Sequence, residues 1–154
     1  GVIVFAKSVE AKRYLQDEWK NFTKKYYAVV HGALDKKEDV MISYLTENSA
    51  FKVYSVKDSK KGKLSKTGYR VIQESERHSL LEVDLITGRK NQIRVHFSEK
   101  GHPVVGDKLY GTTRKGVKRL MLHSASLTLL HPHSKEEMTF DTKVPSQFTA
   151  LFRK

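Results

Sequence analysis

Residues 80–101 read LLEVDLITGRKNQIRVHFSEKG, and this stretch decides the fold class. It opens with mostly apolar residues and polar alternates, a pattern that predicts a strand with one covered face. A polar turn follows, and then Ile93 and Phe97 recur at the spacing of one helical face. We therefore predict a helix over residues 90–100, which ends at Gly101 because glycine readily adopts the left-handed conformation that follows many helices.

Patterns elsewhere in the chain predict many strands and few helices. A helix is expected over residues 9–21, with Ser8 as its N-cap. Strands are expected over residues 2–6, 25–32, 40–44, 52–56, 67–73, 79–86, 120–130 and 138–140. This order of elements predicts an α+β fold with a mixed, largely antiparallel sheet. Since no repeat or linker interrupts the chain, we expect residues 1–154 to belong to one domain.

The chain carries a strong excess of positive charge. Its 154 residues include 29 Lys and Arg against 17 Asp and Glu, a formal net charge of +12 at pH 7. Such a surplus on a small folded domain indicates a polyanionic partner, and nucleic acid is the leading interpretation. Simple solubility is the alternative explanation, which composition by itself leaves open.

Several classes of protein are excluded by what the sequence lacks. It contains no cysteine, which excludes a disulfide scaffold and a thiolate zinc site and fits a reducing compartment. No apolar run approaches the ~18 residues of a membrane span. The seven histidines lack the spacing of a metal site. We therefore expect a cytoplasmic monomer with no metal site and no membrane contact.

Three groups of cations are candidates for contact with nucleic-acid phosphates. They are Lys24 and Lys25 beside Tyr26, then Lys60, Lys61 and Lys63 in a mobile basic loop over residues 57–66, and finally Arg89 and Lys90 at the mouth of the predicted helix. A helix that begins just after a strand and a turn presents free backbone N–H groups, which favour an anion. For the loop, a solvated hairpin tip and a phosphate-contacting finger remain open alternatives.

Arg94 and Tyr26 are candidates for chemistry, and each also has a purely structural explanation. Arg94 flanks the apolar face of the predicted helix, so its guanidinium is expected to be partly buried and to need a carboxylate or phosphate partner. A structural salt bridge and an anion site both meet that need. Tyr26 and Tyr27 alternate across a strand, which predicts that one is in the core and the other exposed. An exposed Tyr could stack on a base, although packing at a sheet edge is the more common situation.

Six segments of the chain match, in order, the motifs of one known family. They are residues 1–7, 24–32, 62–71, 85–96, 101–111 and 122–132, of which residues 85–96 are the most specific. On these segments the chain resembles the RluA-type RNA pseudouridine synthases, which isomerise uridine to pseudouridine in ribosomal or transfer RNA. Ser65 stands where the family has an alanine, and Asn91 stands where it often has a histidine.

The resemblance implies a fold, a reaction and two residue roles. The fold is the pseudouridine synthase catalytic domain, in which the target uridine is flipped out of its stack into a basic cleft. By match, Arg94 is the arginine that pairs with the catalytic aspartate and keeps it ionised. Tyr26 is the tyrosine that packs on the flipped base and assists proton removal from its C5 atom. The resemblance implies no cofactor and no metal.

The chain departs from the family at its first residue. The catalytic aspartate of the family belongs to a His-Arg-Leu-Asp segment just upstream of a Thr-Ser-Gly, and Gly1 matches that glycine. We therefore expect the aspartate to lie before position 1, the domain to be truncated at its N-terminus and the 154-residue chain to be inactive without its parent. The alternatives are a non-catalytic RNA-binding module of the same fold and a basic domain that binds a ribosomal protein.

Overall fold

The computed structural model describes residues 1–112 and 117–153, in which it contains three α-helices and seven strands. In chain order they are α1 (Val9–Glu18), β1 (Thr23–His31), β2 (Glu38–Glu47), β3 (Val53–Val56), β4 (Lys63–Glu74), β5 (His78–Leu85), α2 (Gln92–Glu99), β6 (Leu122–Leu130), β7 (Glu137–Asp141) and α3 (Ser146–Thr149). Short 3-10 helices follow α1 at Trp19–Asn21 and α3 at Ala150–Phe152. The predicted α+β class is confirmed.

The seven strands form one sheet in the order β3-β2-β4-β5-β1-β6-β7. Every pairing between the described strands is antiparallel. The predicted antiparallel character is therefore confirmed, and no parallel pair occurs within residues 1–112 and 117–153. The reason is connectivity, because a parallel pair needs a crossover of about a dozen residues or more, whereas β2 to β5 follow one another through short turns.

The core is centred on β1 and β5. Residues 28–30 of β1 and Leu81 and Val83 of β5 are fully buried. Helix α2 adds Ile93 and Phe97, which are 4% and 0% exposed, so the predicted helical face is confirmed. Burial of an apolar side chain of this size contributes roughly 1.5–3 kcal/mol. These contacts fix α2 firmly against the sheet.

Helix α1 packs on the other end of the sheet. The hydroxyl of Ser8 accepts a hydrogen bond from the Ala11 amide at 3.1 Å, which confirms Ser8 as the N-cap. Leu15 of α1 then packs with Phe22 and with Leu127 of β6 in a second apolar cluster. The helix therefore covers β6 and holds the start of β1 beneath it.

Two glycines shape the segment after α2. Gly101 has a φ of +87°, which confirms its predicted role as the residue that ends the helix. Gly106 has a φ of +80°, and a Cβ there would lie 2.1 Å from the carbonyl oxygen of Arg119. Only glycine fits this approach of two backbones, and the turn it permits sets the position of Asp107.

The predicted strand over residues 2–6 is wrong. Val2 donates its amide to the carbonyl oxygen of Ser124 at 3.0 Å, but the segment forms no strand, and Ile3 and Phe5 are 74% and 79% exposed. Strand β7 pairs only with Ser126–Leu130 of β6, so the backbone of β6 beside Ser124 is open and accepts the Val2 amide there. A strand needs a ladder of paired backbone groups rather than one hydrogen bond, so an apolar, β-branched composition is not sufficient to make this segment a strand.

Two other boundaries differ from the prediction. Strand β4 begins at Lys63, so the basic loop is confined to residues 57–62 and its last residues belong to the sheet. Helix α3 was not predicted, because four residues are too few to show a helical period. Its residue Phe148 is fully buried in the main core, so α3 is fixed by this single anchor rather than by its sequence pattern.

Candidate functional site

A basic cavity of about 520 Å³ lies at the β3 edge of the sheet. The β2–β3 hairpin, the start of β4 and the turn after β5 form its walls. Five cations that were selected from the sequence line it: Lys60, Lys61, Lys63, Arg89 and Lys90. One carboxylate, Glu47, stands against them, so the lining carries four positive charges in excess. Two of the three predicted groups of cations therefore meet in one place.

Local hydrogen bonds order the backbone that carries these cations. The carboxylate of Asp58 accepts from the Lys60 amide at 2.9 Å, and the Asp58 carbonyl accepts from the Lys61 amide at 3.0 Å. Arg89 donates from its guanidinium to the carbonyl oxygen of Leu64 at 3.3 and 3.2 Å. The loop over residues 57–62 thus contains a hydrogen-bonded turn, and its side chains remain exposed.

Among the cavity cations, Lys90 is the one that has an acidic partner within the described part of the chain. Its ammonium lies 2.8 Å from the Glu47 carboxylate and 5.3 Å from the ring centroid of Phe51. Both partners of the ion pair are partly exposed, with side chains 54% and 34% accessible, so the pair contributes little to stability. Its effect is to neutralise the single carboxylate of the cavity, which leaves the other four cations without an opposing charge there.

Gln92 orders the turn that leads into α2. Its side-chain oxygen accepts from the Thr87 hydroxyl at 2.7 Å and from the Arg89 amide at 3.0 Å, and its NH₂ donates to the Lys66 carbonyl and the Thr67 hydroxyl, both at 2.9 Å. The side chain is 2% exposed, and both its oxygen and its NH₂ group have two hydrogen-bond partners. Because α2 begins at Gln92, two residues later than predicted, Arg89 lies in the turn and its amide is already bonded.

A neutral polar seam joins α2 to the sheet beside the basic cavity. His96 Nδ1 lies 2.8 Å from the hydroxyl of Thr67, and His96 Nε2 lies 2.9 Å from the hydroxyl of Ser43. Burial lowers the pKa of His96, although the nearby charge of Glu99 opposes that change. The ring is therefore neutral at pH 7, and it places no further positive charge beneath the cavity.

Arg94 is held by a carboxylate. Its Nε and one terminal nitrogen donate to the two oxygens of Asp107 at 2.8 and 2.9 Å, and its other terminal nitrogen donates to the Asn91 side-chain oxygen at 3.0 Å. Asp107 also accepts from the backbone amides of Leu109 and Tyr110 at 3.0 and 2.9 Å. Of the two partners that the sequence left open for Arg94, the structure contains a carboxylate.

The pair is buried unequally, and this sets the pKa of each partner. The Arg94 side chain is 21% exposed, whereas that of Asp107 is 0% exposed. Burial raises the pKa of Asp107, but hydrogen bonds from Arg94 and from two backbone amides outweigh it, so the pKa lies below its ordinary value. The hydrogen bond to Asp107 raises the pKa of Arg94. Both groups are ionised at neutral pH.

A second cavity, of about 380 Å³, surrounds Tyr26. Its walls are residues 2–4, Trp19, Lys24, Tyr26, Ser124, Ser126 and Leu127. Tyr26 and Tyr27 are both partly buried, so the prediction that one is in the core and the other exposed is wrong. Both rings pack against the main core, and a β-bulge at Lys25/Tyr26 disturbs the alternation on the β6 side of β1. Arg94 is not among the residues that line this cavity or the basic one.

Lys24 differs most from its predicted place. It is 4% exposed, and its ammonium donates to the carbonyl oxygens of Trp19 and Phe22 at 2.6 and 3.0 Å. It also lies 5.6 Å from the Trp19 ring centroid. Burial lowers its pKa, and the charge of Asp84 acts in the opposite direction. An ammonium that is buried and donates to two backbone carbonyls is not available to an RNA phosphate. We therefore correct the surface position expected for Lys24.

Lys25 lies outside both cavities. Its side chain is 42% exposed and forms an ion pair with Glu82 at 3.3 Å. Glu82 also lies 3.5 Å from Arg70, so one carboxylate on β5 is shared by two cations. The structure therefore separates Lys25 from the five cations of the basic cavity.

Within residues 1–112 and 117–153, no three His, Cys, Asp or Glu side chains approach closely enough to hold a metal ion together. In the same described part, no helix is both long and apolar enough to cross a membrane.

Sequence reasoning missed two polar residues that organise this region. Asp107 carries no local signal of its role, because its contact with Arg94 spans 13 positions and turns the chain back through Gly106. No local pattern reports such a contact. Gln92 left a usable signal, since it lies next to Ile93 and four residues before His96, on the side of the helix that faces the sheet. A polar residue in that stripe must find buried partners.

Comparison with known proteins gives a family. Residues 1–99 match the family model of the RNA pseudouridylate synthases. The chain is 33% identical over 147 residues to ribosomal large subunit pseudouridine synthase C of Vibrio cholerae, an alignment that covers 90% of this chain and 46% of that protein. It is 34% identical over 164 residues to ribosomal large subunit pseudouridine synthase D of Nitrosomonas europaea, with 99% and 47% covered. The chain thus spans about half the length of these curated relatives.

A solved structure agrees with the sequence comparison. Human RNA pseudouridylate synthase domain containing 1 superposes with a TM-score of 0.75 at 27% identity, over 92% of this chain and 62% of that one. Human RNA pseudouridylate synthase domain containing 4, at 23% identity and a TM-score of 0.78, shares the fold. The family match covers well over half of the chain, and the two human domains share its fold. The chain belongs to the RNA pseudouridylate synthase family.

Proposed function

We propose that the protein isomerises uridine to pseudouridine in RNA. The observation that carries the proposal is the basic cavity, where five cations meet around a volume of about 520 Å³ in a chain of this family. Phosphate neutralisation supplies most of the affinity of a protein for a nucleic-acid backbone. Four excess positive charges at one edge of the sheet suit that role better than a small neutral ligand.

The reaction rearranges one nucleotide without a net change in its atoms. The bond between N1 of the base and the ribose breaks, the base rotates, and a bond forms between C5 and the same ribose carbon. C5 loses a proton and N1 gains one, so no oxidant, reductant or second substrate is required. The enzyme must therefore supply a flipped-out base, a carboxylate and a route for one proton.

Arg94 has the hydrogen-bonding capacity to orient a carboxylate or a substrate oxygen in this reaction. A guanidinium has five N–H donors, and within the described part of the chain three of them are used, two on Asp107 and one on Asn91. Two N–H donors remain. We propose that they pair with the catalytic aspartate, which the family resemblance implies lies upstream of Gly1, while Asp107 keeps the guanidinium in place.

Tyr26 is the proposed contact for the base. It lies on β1, an inner strand of the sheet, lines a cavity of about 380 Å³ and is partly buried, so its ring is fixed rather than free. A fixed ring suits stacking, because little conformational entropy is lost when a base packs against it. The role in removing the C5 proton, which the resemblance also implies, is part of the same proposal.

Large-subunit ribosomal RNA is the first substrate class to test. The two bacterial relatives carry that substrate in their names, "Ribosomal large subunit pseudouridine synthase" C and D. Transfer RNA is the second class, and the cytoplasmic, monomeric state expected from the sequence stays a prediction. The uridine itself depends on RNA shape and on loops, which family membership does not specify.

The test compares the 154-residue chain with a version that is extended upstream in its source gene. Each is incubated with large-subunit ribosomal RNA and with transfer RNA, and pseudouridine is measured by nucleoside analysis. We expect product only from the extended protein. Product from the 154-residue chain would contradict the upstream aspartate, and no product from either with any RNA would contradict the proposed activity.

Arg94→Met in the extended protein separates catalysis from binding. We expect turnover to be abolished while most of the RNA affinity remains, because the basic cavity is intact. The matched control is Lys143→Met, which removes one exposed cation just after β7, at the opposite edge of the sheet. If the extended protein binds RNA through the basic cavity but never forms pseudouridine, the chain is instead a binding module of synthase fold.

A further inference from the structure

Phe51 is an unusual residue at the tip of the β2–β3 hairpin. It is 70% exposed, and its φ of 60° places its backbone in the left-handed region. For a bulky residue without a local polar group to stabilise it, this conformation is strained. An exposed aromatic ring on a strained backbone contributes little to the fold, and such strain is characteristic of functional positions.

The tip that carries Phe51 is held rigidly. The side-chain oxygen of Asn48 accepts hydrogen bonds from the amides of Ala50 and Lys52, both at 3.0 Å. The Phe51 amide donates to the Asn48 carbonyl at 2.9 Å, and the Asn48 amide donates to the Lys52 carbonyl at 3.0 Å. Four hydrogen bonds across five residues fix the backbone, so the ring is presented in a defined position.

The ring of Phe51 stands at the rim of the basic cavity. The Lys90 ammonium, which lines the cavity, lies 5.3 Å from the ring centroid and 2.8 Å from the Glu47 carboxylate. The ammonium occupies part of the ring's surface, and the 70% exposure of Phe51 leaves the rest open to solvent. An open aromatic surface thus lies directly beside Lys90, one of the cations that line the basic cavity.

We propose that Phe51 stacks on an unpaired base of an RNA strand whose phosphates lie in the basic cavity. The inference rests on the proposed RNA-binding function and adds a base contact to it. Every base has a π-face, so an aromatic ring beside a positively charged groove binds single-stranded nucleic acid with little sequence preference. The charge of the cavity favours a polyanion over an apolar protein segment as the occupant, because four excess cations need anionic partners.

The experiment measures binding of the chain to a short unpaired RNA by fluorescence anisotropy at several salt concentrations. Phe51→Ala should weaken binding by roughly 5- to 100-fold, the loss expected for one base–aromatic stack. The slope of log affinity against log salt should stay unchanged, because no charge is removed. Phe51→Trp should bind as well as the unchanged chain, and Phe51→Leu, which is apolar but has no ring, should bind nearly as weakly as Phe51→Ala.

The control is Phe140→Ala. Phe140 is 45% exposed on β7, at the opposite edge of the sheet, and its loss should leave RNA affinity unchanged. A second readout replaces individual bases of the RNA by abasic sugars. One replacement should weaken the unchanged chain as much as Phe51→Ala does, and it should have no further effect on that variant.

Three results would overturn the inference in different ways. If Phe51→Ala binds RNA normally while Lys63→Gln is weakened, the base contact is wrong and the RNA interface stands. If Phe51→Ala, Lys63→Gln and Phe140→Ala all bind normally, the basic cavity is not the RNA interface and the base contact fails with it. If Phe51→Ala weakens RNA binding but Phe51→Leu binds as well as the unchanged chain, stacking is also contradicted, since any apolar side chain would then suffice.

Discussion

The basic cavity and the Tyr26 cavity are both lined by lysines that we predicted to contact RNA. The lysines of the basic cavity are exposed, whereas the lysine of the Tyr26 cavity is buried. In the basic cavity, Lys60, Lys61 and Lys63 are exposed and form no ion pair within the described residues, while the Glu47 carboxylate is paired with Lys90. In the Tyr26 cavity, Lys24 is 4% exposed and its ammonium donates hydrogen bonds to two backbone carbonyls. Burial, and not residue type, decides which cation can reach a phosphate.

The position of each lysine in the sheet explains the difference. Lys24 lies on β1, an inner strand of the sheet, where Trp19 of the 3-10 helix and Phe22 offer their carbonyl oxygens. The cations of the basic cavity lie on edge elements and turns, where water covers one side. Arg94 is intermediate in exposure, because its side chain is 21% exposed. Its guanidinium pairs with the Asp107 carboxylate and keeps two N–H donors unused within the described residues.

Removing the partner of Arg94 should give the largest effect on stability. Asp107→Asn replaces one acceptor oxygen by an NH₂ group. This group must face either the guanidinium or the backbone amides from which Asp107 now accepts hydrogen bonds. We expect a loss of about 3 kcal/mol, the lower end for a broken buried pair, because Arg94 is not fully buried. Urea unfolding at pH 7 measures the change, and an unaltered midpoint would mean that the pair is not part of the fold's stability.

The same variant carries a pH test with a defined sign. The pKa of Asp107 is lower in the folded chain than its ordinary value of 3.8, so its contribution is present above that pH and is lost as pH falls through the folded pKa. The difference in unfolding free energy between the unchanged chain and Asp107→Asn should therefore shrink below pH 3.8. A difference that stays constant down to the acid transition would contradict the depressed pKa.

Lys24→Met should give the next largest effect, and it tests the Tyr26 cavity directly. The variant leaves the carbonyl oxygens of Trp19 and Phe22 without their donor, which costs about 1–3 kcal/mol of unfolding free energy. Lys25→Met is the matched control, because its exposed ion pair is worth at most about 1 kcal/mol. If Lys24→Met unfolds normally but binds RNA poorly, the contrast between the two cavities is wrong.

Lys63→Gln tests the other side of the comparison. We expect no change in unfolding free energy and a moderate loss of RNA affinity. The salt dependence should fall by about 0.7 in slope for one single-strand phosphate contact. Lys143→Gln, at the opposite sheet edge, should change neither quantity. Equal slopes for both variants would show that the cations of the basic cavity act only through the overall charge of the chain.

The smallest effect concerns His96, in the polar seam beside the basic cavity. Burial lowers its pKa below 6.5, so between that value and the folded pKa the unfolded chain binds the extra proton and the folded chain does not. Stability should therefore decline as pH falls below 6.5. His96→Gln should reduce this decline, with thermal midpoints between pH 7 and pH 5 as the measurement. A variant with the same decline would assign it to other groups, His123 among them, whose pKa burial also lowers.

Part of this molecule was predictable because the signal is local. The strand, turn and helix over residues 80–101, the N-cap at Ser8 and the helix end at Gly101 follow from spacing and from backbone preference, and all three are confirmed. The predicted strand over residues 2–6 fails for the opposite reason. Its composition favours a strand, but whether it forms a ladder depends on contacts with distant residues, and its contact with β6 begins and ends near the Val2–Ser124 hydrogen bond.

The sequence alone determined the family motifs, their order, the positive excess and the two groups of cations that meet in the basic cavity. Tertiary structure decided that Arg94 pairs with Asp107, that Lys24 is buried and that Phe51 stands beside Lys90. The physical reason is the distance along the chain over which each kind of interaction acts. Spacing and backbone preference act between neighbours along the chain, whereas burial and partner choice arise from contacts between distant residues, such as Lys90 with Glu47, that form only when the sheet closes over its core.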